Sequence, residues 1–171
     1  MKNHEMDSMN KLHKNIDRLT EIVGKLSAMV LLALTVLIVY DALARYLFST
    51  GSLMLQELEW HLFDIIILFS ISYTLKYNQH VRVDIFYQKC SLKFQKRIGQ
   101  VGLILMVLPF SLLMVYVGLE FVLISLHQMD GSPNAGGLPL RFLVKGLIFL
   151  GFLFLTLQAI GEFLKLKGDD R

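Results

Sequence analysis

The sequence predicts an all-α membrane protein with four transmembrane helices, both termini cytoplasmic, and an N-terminal amphipathic helix. Three observations predict it. First, 54% of the 171 residues are hydrophobic and only 18% charged, with a mean hydropathy of +0.55, a balance foreign to ordinary soluble domains. Second, four apolar stretches recur, and a chain of this length holds four helices of ~20 residues across a ~30 Å hydrocarbon layer and little else. Third, the basic residues alternate between the segments separating those stretches. Five lie from Lys2 to Lys25, Arg45 stands alone, six lie from Lys76 to Arg97, Arg141 and Lys145 follow, and Lys165, Lys167 and Arg171 close the chain. The rich segments are the first, third and fifth, which the positive-inside rule places in the cytoplasm.

Residues 1–25 form the lead-in: Leu12, Ile16, Leu19, Val23 and Leu26 recur at helical spacing among Lys11, Lys14, Arg18 and Lys25. Residues 26–171 form the transmembrane domain, with spans at about 26–47, 55–77, 101–126 and 140–166. Ala42-Leu43-Ala44 mimics a signal-peptidase site, but the long basic region ahead of the apolar run predicts an uncleaved anchor. The second span has only a short uncharged core, Ile65 to Leu75, and extends back through a helix whose Glu57, His61 and Asp64 share one stripe. Trp60 is an interfacial anchor there, and the stretch from Ser52 to His61 is expected to lie partly along the outer interface. A basic cytoplasmic connector runs from Lys76 to Gln100, with a short helix starting near Ser91. Pro109 predicts a kink in the third span. Gly131, Pro133, Gly136, Gly137 and Pro139 predict a turn-rich external loop before the fourth span.

Net charge of +3 and a pI near 9.0 do not indicate nucleic acid. The basic residues flank apolar spans, so membrane lipids are the expected partner. Cys90 has no second thiol for a disulfide or a metal site. The sequence contains no Gly-rich phosphate loop, HExxH or nucleophile elbow, so no enzyme is expected, nor any metal or cofactor.

The topology puts Asp41, Arg45, Asp64, Glu120 and Lys145 in the outer halves of four helices. Ionised groups there are costly unless paired, so two roles are open: salt bridges within the bundle, or a contact surface for a second membrane protein. His61 and His127 near the outer face leave open a haem-bearing anchor of a respiratory enzyme. Glu120 or Asp64 as a proton site leaves open a small homodimeric exporter.

Ordered strings narrow the choice. Arg45-Tyr46-Leu47-Phe48, Gln56-Glu57-Leu58-Glu59-Trp60-His61-Leu62-Phe63, Tyr73-Thr74-Leu75-Lys76 and His80-Val81-Arg82-Val83-Asp84-Ile85-Phe86-Tyr87 are followed by Gly131-Ser132-Pro133, Gly136-Gly137-Leu138-Pro139, Arg141, Lys145 and Gln158. Together they resemble the small membrane subunit of TRAP transporters, the DctQ-like family, in wording closest to the mannitol/chloroaromatic or 2-oxoacid branch. The resemblance implies a multi-pass protein of the bacterial inner membrane, partnered by a large multi-span permease and a periplasmic solute-binding protein. It implies uptake of small organic acids on an ion gradient, usually Na⁺, with this chain as a stationary accessory. Subunit-interface or structural candidates are Arg45, Glu57, Glu59, Trp60, His61, Asp64, His80, Arg82, Asp84, Glu120 and Lys145. Docking candidates for the binding protein are Asp130, Asn134 and Arg141. Asp130 departs from the Glu of many relatives, preserving charge with a shorter reach.

Overall fold

The computed structural model describes residues 2–77, 91–139 and 141–169. His80, Arg82, Asp84 and Cys90 therefore lie outside the described residues, as does most of the predicted basic connector. The regular structure of the described residues is helical: α1 (Lys2–Phe48), α2 (Leu53–Lys76), α3 (Leu92–Gly102), a π-helical segment (Leu103–Val107), α4 (Leu108–Gln128) and α5 (Arg141–Asp169). Among the described residues, four stretches are long and apolar enough to cross a membrane: Lys11–Phe48, Leu53–Lys76, Arg97–Gln128 and Arg141–Lys165.

The lead-in and the first span form one helix of 47 residues. At ~1.5 Å per residue it is ~70 Å long, more than a bilayer core accommodates. Its polar part is held by packing. Ile16, Thr20, Val23 and Ser27 are buried, at spacings of four, three and four that share one face. That face meets α5 where Ile16 approaches Gly161, and α2 where the Tyr73 ring occupies the space a side chain at Gly24 would need. Gly24 thus admits an aromatic ring against α1.

α2 runs without a break from Leu53, so the segment expected along the interface is the first turns of the span itself. The irregularity expected at Pro109 takes the form of the π-helical segment immediately before it. Proline has no N–H to give and its ring crowds the carbonyl four residues back, here that of Leu105; the wider turn accommodates both.

α5 is the organising helix, packing on α1, α2 and α4, while α1 also packs on α2. Leu75, Leu103, Leu155 and Ala159 form the buried apolar core, with Ile71, Val107, Leu108 and Phe152 against it. Backbone approach is close at two glycines: Gly151 faces Leu68 of α2, and Gly118 of α4 faces the Phe149 backbone. Small residues allow helices to approach in this way where lipid removes the hydrophobic drive for association. Edge-on ring pairs, Phe69 with Phe154 at 5.6 Å and Phe110 with Phe152 at 5.7 Å, fill the layer around them. The pairing of Ile16 with Gly161 brings the start of α1 beside the end of α5, so both terminal helices leave the bundle at one end. Residues 129–139 lie at the other.

Candidate functional site

At the loop end, α4 finishes with Met129 in the left-handed conformation (φ 47°), its N–H returning to the last helical turn. The loop is then closed by backbone bonds: Ser132 N–H to the Leu138 carbonyl at 3.1 Å, and Arg141 N–H to the Asp130 carbonyl at 3.1 Å. Inside it, Gly137 N–H donates to the Asn134 carbonyl at 3.1 Å, a β-turn with Gly136 at its third position. The positive φ of Gly136, 83°, is one that glycine reaches without strain.

Two carboxylates clasp this loop. Glu57, from the first turns of α2, accepts from the Ser132 hydroxyl, from Asn134 Nδ2 at 3.2 Å and from the Leu138 N–H at 2.6 Å. A side chain at Gly137 would collide with both Ser132 and the Glu57 carboxylate, so this glycine is what lets the clasp close. Asp130 accepts from the Ser125 hydroxyl and from Lys145 Nζ at 2.6 Å. The Lys145 ammonium, then the Ser125 hydroxyl, hold the Asp130 carboxyl below the usual carboxylate range. Asp130 is therefore ionised at neutral pH.

Beside the clasp, a cavity of about 420 Å³ is lined by Trp60, His61 and Asp64 of α2, Phe121 of α4, and Arg141, Val144 and Lys145 of α5. Lys145 Nζ stands 4.4 Å from the centre of the Phe121 ring, within cation–π reach. The stripe expected on α2 is thus real: Glu57 grips the loop, and His61 and Asp64 line the adjoining cavity.

Most of the described candidate residues gather here. Asp130 and Asn134, expected to face a docking partner, have their polar groups engaged inside the chain, and Arg141 remains exposed. Lys145 pairs with the loop acid Asp130. Asp41 is ion-paired with Arg45 one turn on, the carboxylate 1% exposed and the guanidinium 51%. Asp41 Oδ1, Glu59 Oε1 and His61 Nδ1 are buried without a hydrogen-bond partner among the described residues. Glu120 and His127 are exposed on α4.

A second polar network joins α1, α2 and α5 at the terminal end. Gln158, fully buried, accepts from Thr20 Oγ1 at 2.7 Å and donates to Asp17 Oδ1 and Glu162 Oε1, each at 3.1 Å. Lys76 Nζ donates to the Asp17 carbonyl at 2.9 Å and to Glu21 Oε2 at 2.8 Å, where the Tyr77 hydroxyl also donates at 2.7 Å. Apart from Lys76 and Gln158, these residues belong to none of the strings or stripes that mark candidates in the sequence. The available signal was a glutamine within an apolar span, and Asp17, Thr20 and Glu21 at helical spacing among buried apolar positions. Gln158→Leu is expected to strand these partners and lower unfolding free energy by about 1–2 kcal/mol. Thermal unfolding in detergent checks it; an unchanged midpoint would show that the network contributes nothing.

Both networks lie at the ends of the bundle; between them the helices meet through apolar contacts, and the buried Ser72 and Ser111 hydroxyls donate to carbonyls of their own helices. A search of curated proteins found no match. Residues 34–167 match the family described as "Tripartite ATP-independent periplasmic transporters, DctQ component".

Proposed function

The chain belongs to the DctQ component family of tripartite ATP-independent periplasmic transporters, and from that premise we propose that it is the stationary scaffold beside the solute-carrying permease. Membership makes it the small membrane subunit of such a transporter and points away from an enzymatic role. The partners in this reading are a large multi-span permease and a periplasmic solute-binding protein in the bacterial inner membrane. Uptake of small organic acids is driven by an ion gradient, taken as Na⁺. The termini are cytoplasmic, and the clasped loop faces the periplasm.

The observation that carries the scaffold reading is the middle layer, which joins its helices by apolar contacts, Gly151 with Leu68 and Phe69 with Phe154. Polar groups are engaged at the two ends instead, which suits a rigid support and leaves transport sites to the permease. α1 offers the permease a surface: Leu32, Val36 and Tyr40 are at least 60% exposed, and the Arg45 guanidinium stands half exposed beside its buried partner. A cation in the outer half of a span is more stable covered by protein than facing lipid. On the other side, the outer edge of the fixed loop is the surface assigned to the binding protein.

Affinity purification of the tagged chain in mild detergent, with mass spectrometry of what is retained, tests the proposal. One large multi-span permease is expected at roughly stoichiometric yield, with the yield falling in Arg45→Glu. Recovery of the chain alone, or with a redox enzyme, would overturn it.

A further inference from the structure

The cavity beside the loop clasp has the chemistry of a headgroup site, and we propose that it binds one phospholipid carrying both a phosphate and a primary ammonium. Its walls present opposite charges within a small space: the Arg141 guanidinium and the Lys145 ammonium on α5, and the Asp64 carboxylate on α2. Lys145 is already shared with Asp130 at 2.6 Å, so Arg141 is the main anion-binding group. A phosphate there receives a planar, bidentate donor set. Asp64 and the Trp60 face are then available to the ammonium, by ion pairing and by cation–π attraction.

Two further observations point to a ligand. His61 lines this cavity, and its Nδ1 is buried without a hydrogen-bond partner among the described residues. As it stands this nitrogen has almost no surface open to the cavity; a turn of the ring about its side-chain bonds brings Nδ1–H to a phosphate oxygen and satisfies an atom the chain leaves unsatisfied. Second, the site opens where a lipid approaches. Trp60 is 69% exposed, an aromatic placed as interfacial anchors are. Below it, α2 and α4 both pack on α5 and hardly on each other, leaving a cleft along α5. Exposed Phe63 and Ile67 of α2 and Val117 of α4 supply apolar surface for an acyl chain at the membrane side of the bundle. Basic pockets between transmembrane helices recognise lipid headgroups by the same chemistry.

The paired charges give the site a selectivity. With Lys145 held by Asp130, a phosphate with an ammonium satisfies both Arg141 and Asp64, whereas a phosphate with a glycerol headgroup leaves Asp64 unpaired beside added negative charge. Phosphatidylethanolamine is therefore preferred over phosphatidylglycerol.

The test is native mass spectrometry of the full-length chain released from nanodiscs holding equal amounts of phosphatidylethanolamine and phosphatidylglycerol. Wild type is expected to retain one phosphatidylethanolamine preferentially. Arg141→Gln should reduce retention of both lipids about fivefold, the fold-change of one basic contact near a membrane surface. Asp64→Asn should leave total retention intact and abolish the preference for phosphatidylethanolamine. Because the two variants alter different readouts, a folding defect in either leaves the other decisive. Equal retention in wild type and both variants would overturn the assignment. So would displacement of the lipid by millimolar inorganic phosphate that is itself retained, since that identifies a free-phosphate site.

Discussion

Glu57→Ala should release the loop from α2. Three donors, the Ser132 hydroxyl, Asn134 Nδ2 and the Leu138 N–H, lose their shared acceptor at once. All three lie within the nine residues Gly131–Pro139, a segment rich in glycine and proline, which has no apolar core of its own to hold its shape. Hydrogen bonds to a charged acceptor are the stronger class, so amide exchange at Leu138 is expected to accelerate on the order of tenfold or more. Exchange in the middle of α2 and α5 should be unaffected. Under the proposed function, solute uptake is lost while the binding protein keeps its affinity for solute, because the defect lies in the docking surface. Glu57→Gln retains an acceptor without the charge and should fall between. Wild-type exchange at Leu138 in Glu57→Ala, or normal uptake, would refute the clasp as a functional element.

Gly151→Val is the second large effect. A side chain at this position would place its first carbon 2.7 Å from Leu68 Cβ and 3.0 Å from the Leu68 carbonyl oxygen. A backbone oxygen in a helix cannot swing aside as a side-chain tip can. α2 and α5 must therefore separate. Overpacking of this kind costs about 1–3 kcal/mol, and the branched side chain places Val toward the upper end. Separation also propagates: Asp64 lies one turn from Leu68, so the cavity between the helices widens. Gly146→Ala is the control on the same helix, where a side chain meets nothing within 4 Å. It should be neutral or slightly stabilising, since alanine restricts the unfolded chain. Comparing unfolding midpoints of the two variants in detergent separates packing from helix propensity. Equal midpoints would show that the α2–α5 contact is loose.

Much of the architecture was legible because a membrane imposes a simple code. Apolar length and the bookends of Lys and Arg identified four spans, and the glycine–proline cluster identified the loop. The stripe of Glu57, His61 and Asp64 was visible because helical periodicity depends only on spacing. Partner choice was less visible. Asp130 reads as an exposed loop acid, and only the fold brings it to Lys145, fifteen residues on, and to Ser125 one turn back on α4. Gln158 and Thr20 are separated by 138 positions, and no local pattern relates them. The junction between lead-in and span was also hidden, since a polar-to-apolar change in composition looks like a boundary even where the backbone continues.

The sequence by itself determined that this chain is a helical membrane protein and which faces of its helices are polar, because transfer free energy and helical period are properties of residues and their spacing. The tertiary structure decided which polar face meets which. That Glu57 holds a loop, that Gly151 admits Leu68, and that Trp60, Asp64 and Arg141 share one cavity all depend on the register and rotation of helices against one another. Those are set by the summed packing of many side chains, a balance that no single stretch of sequence contains.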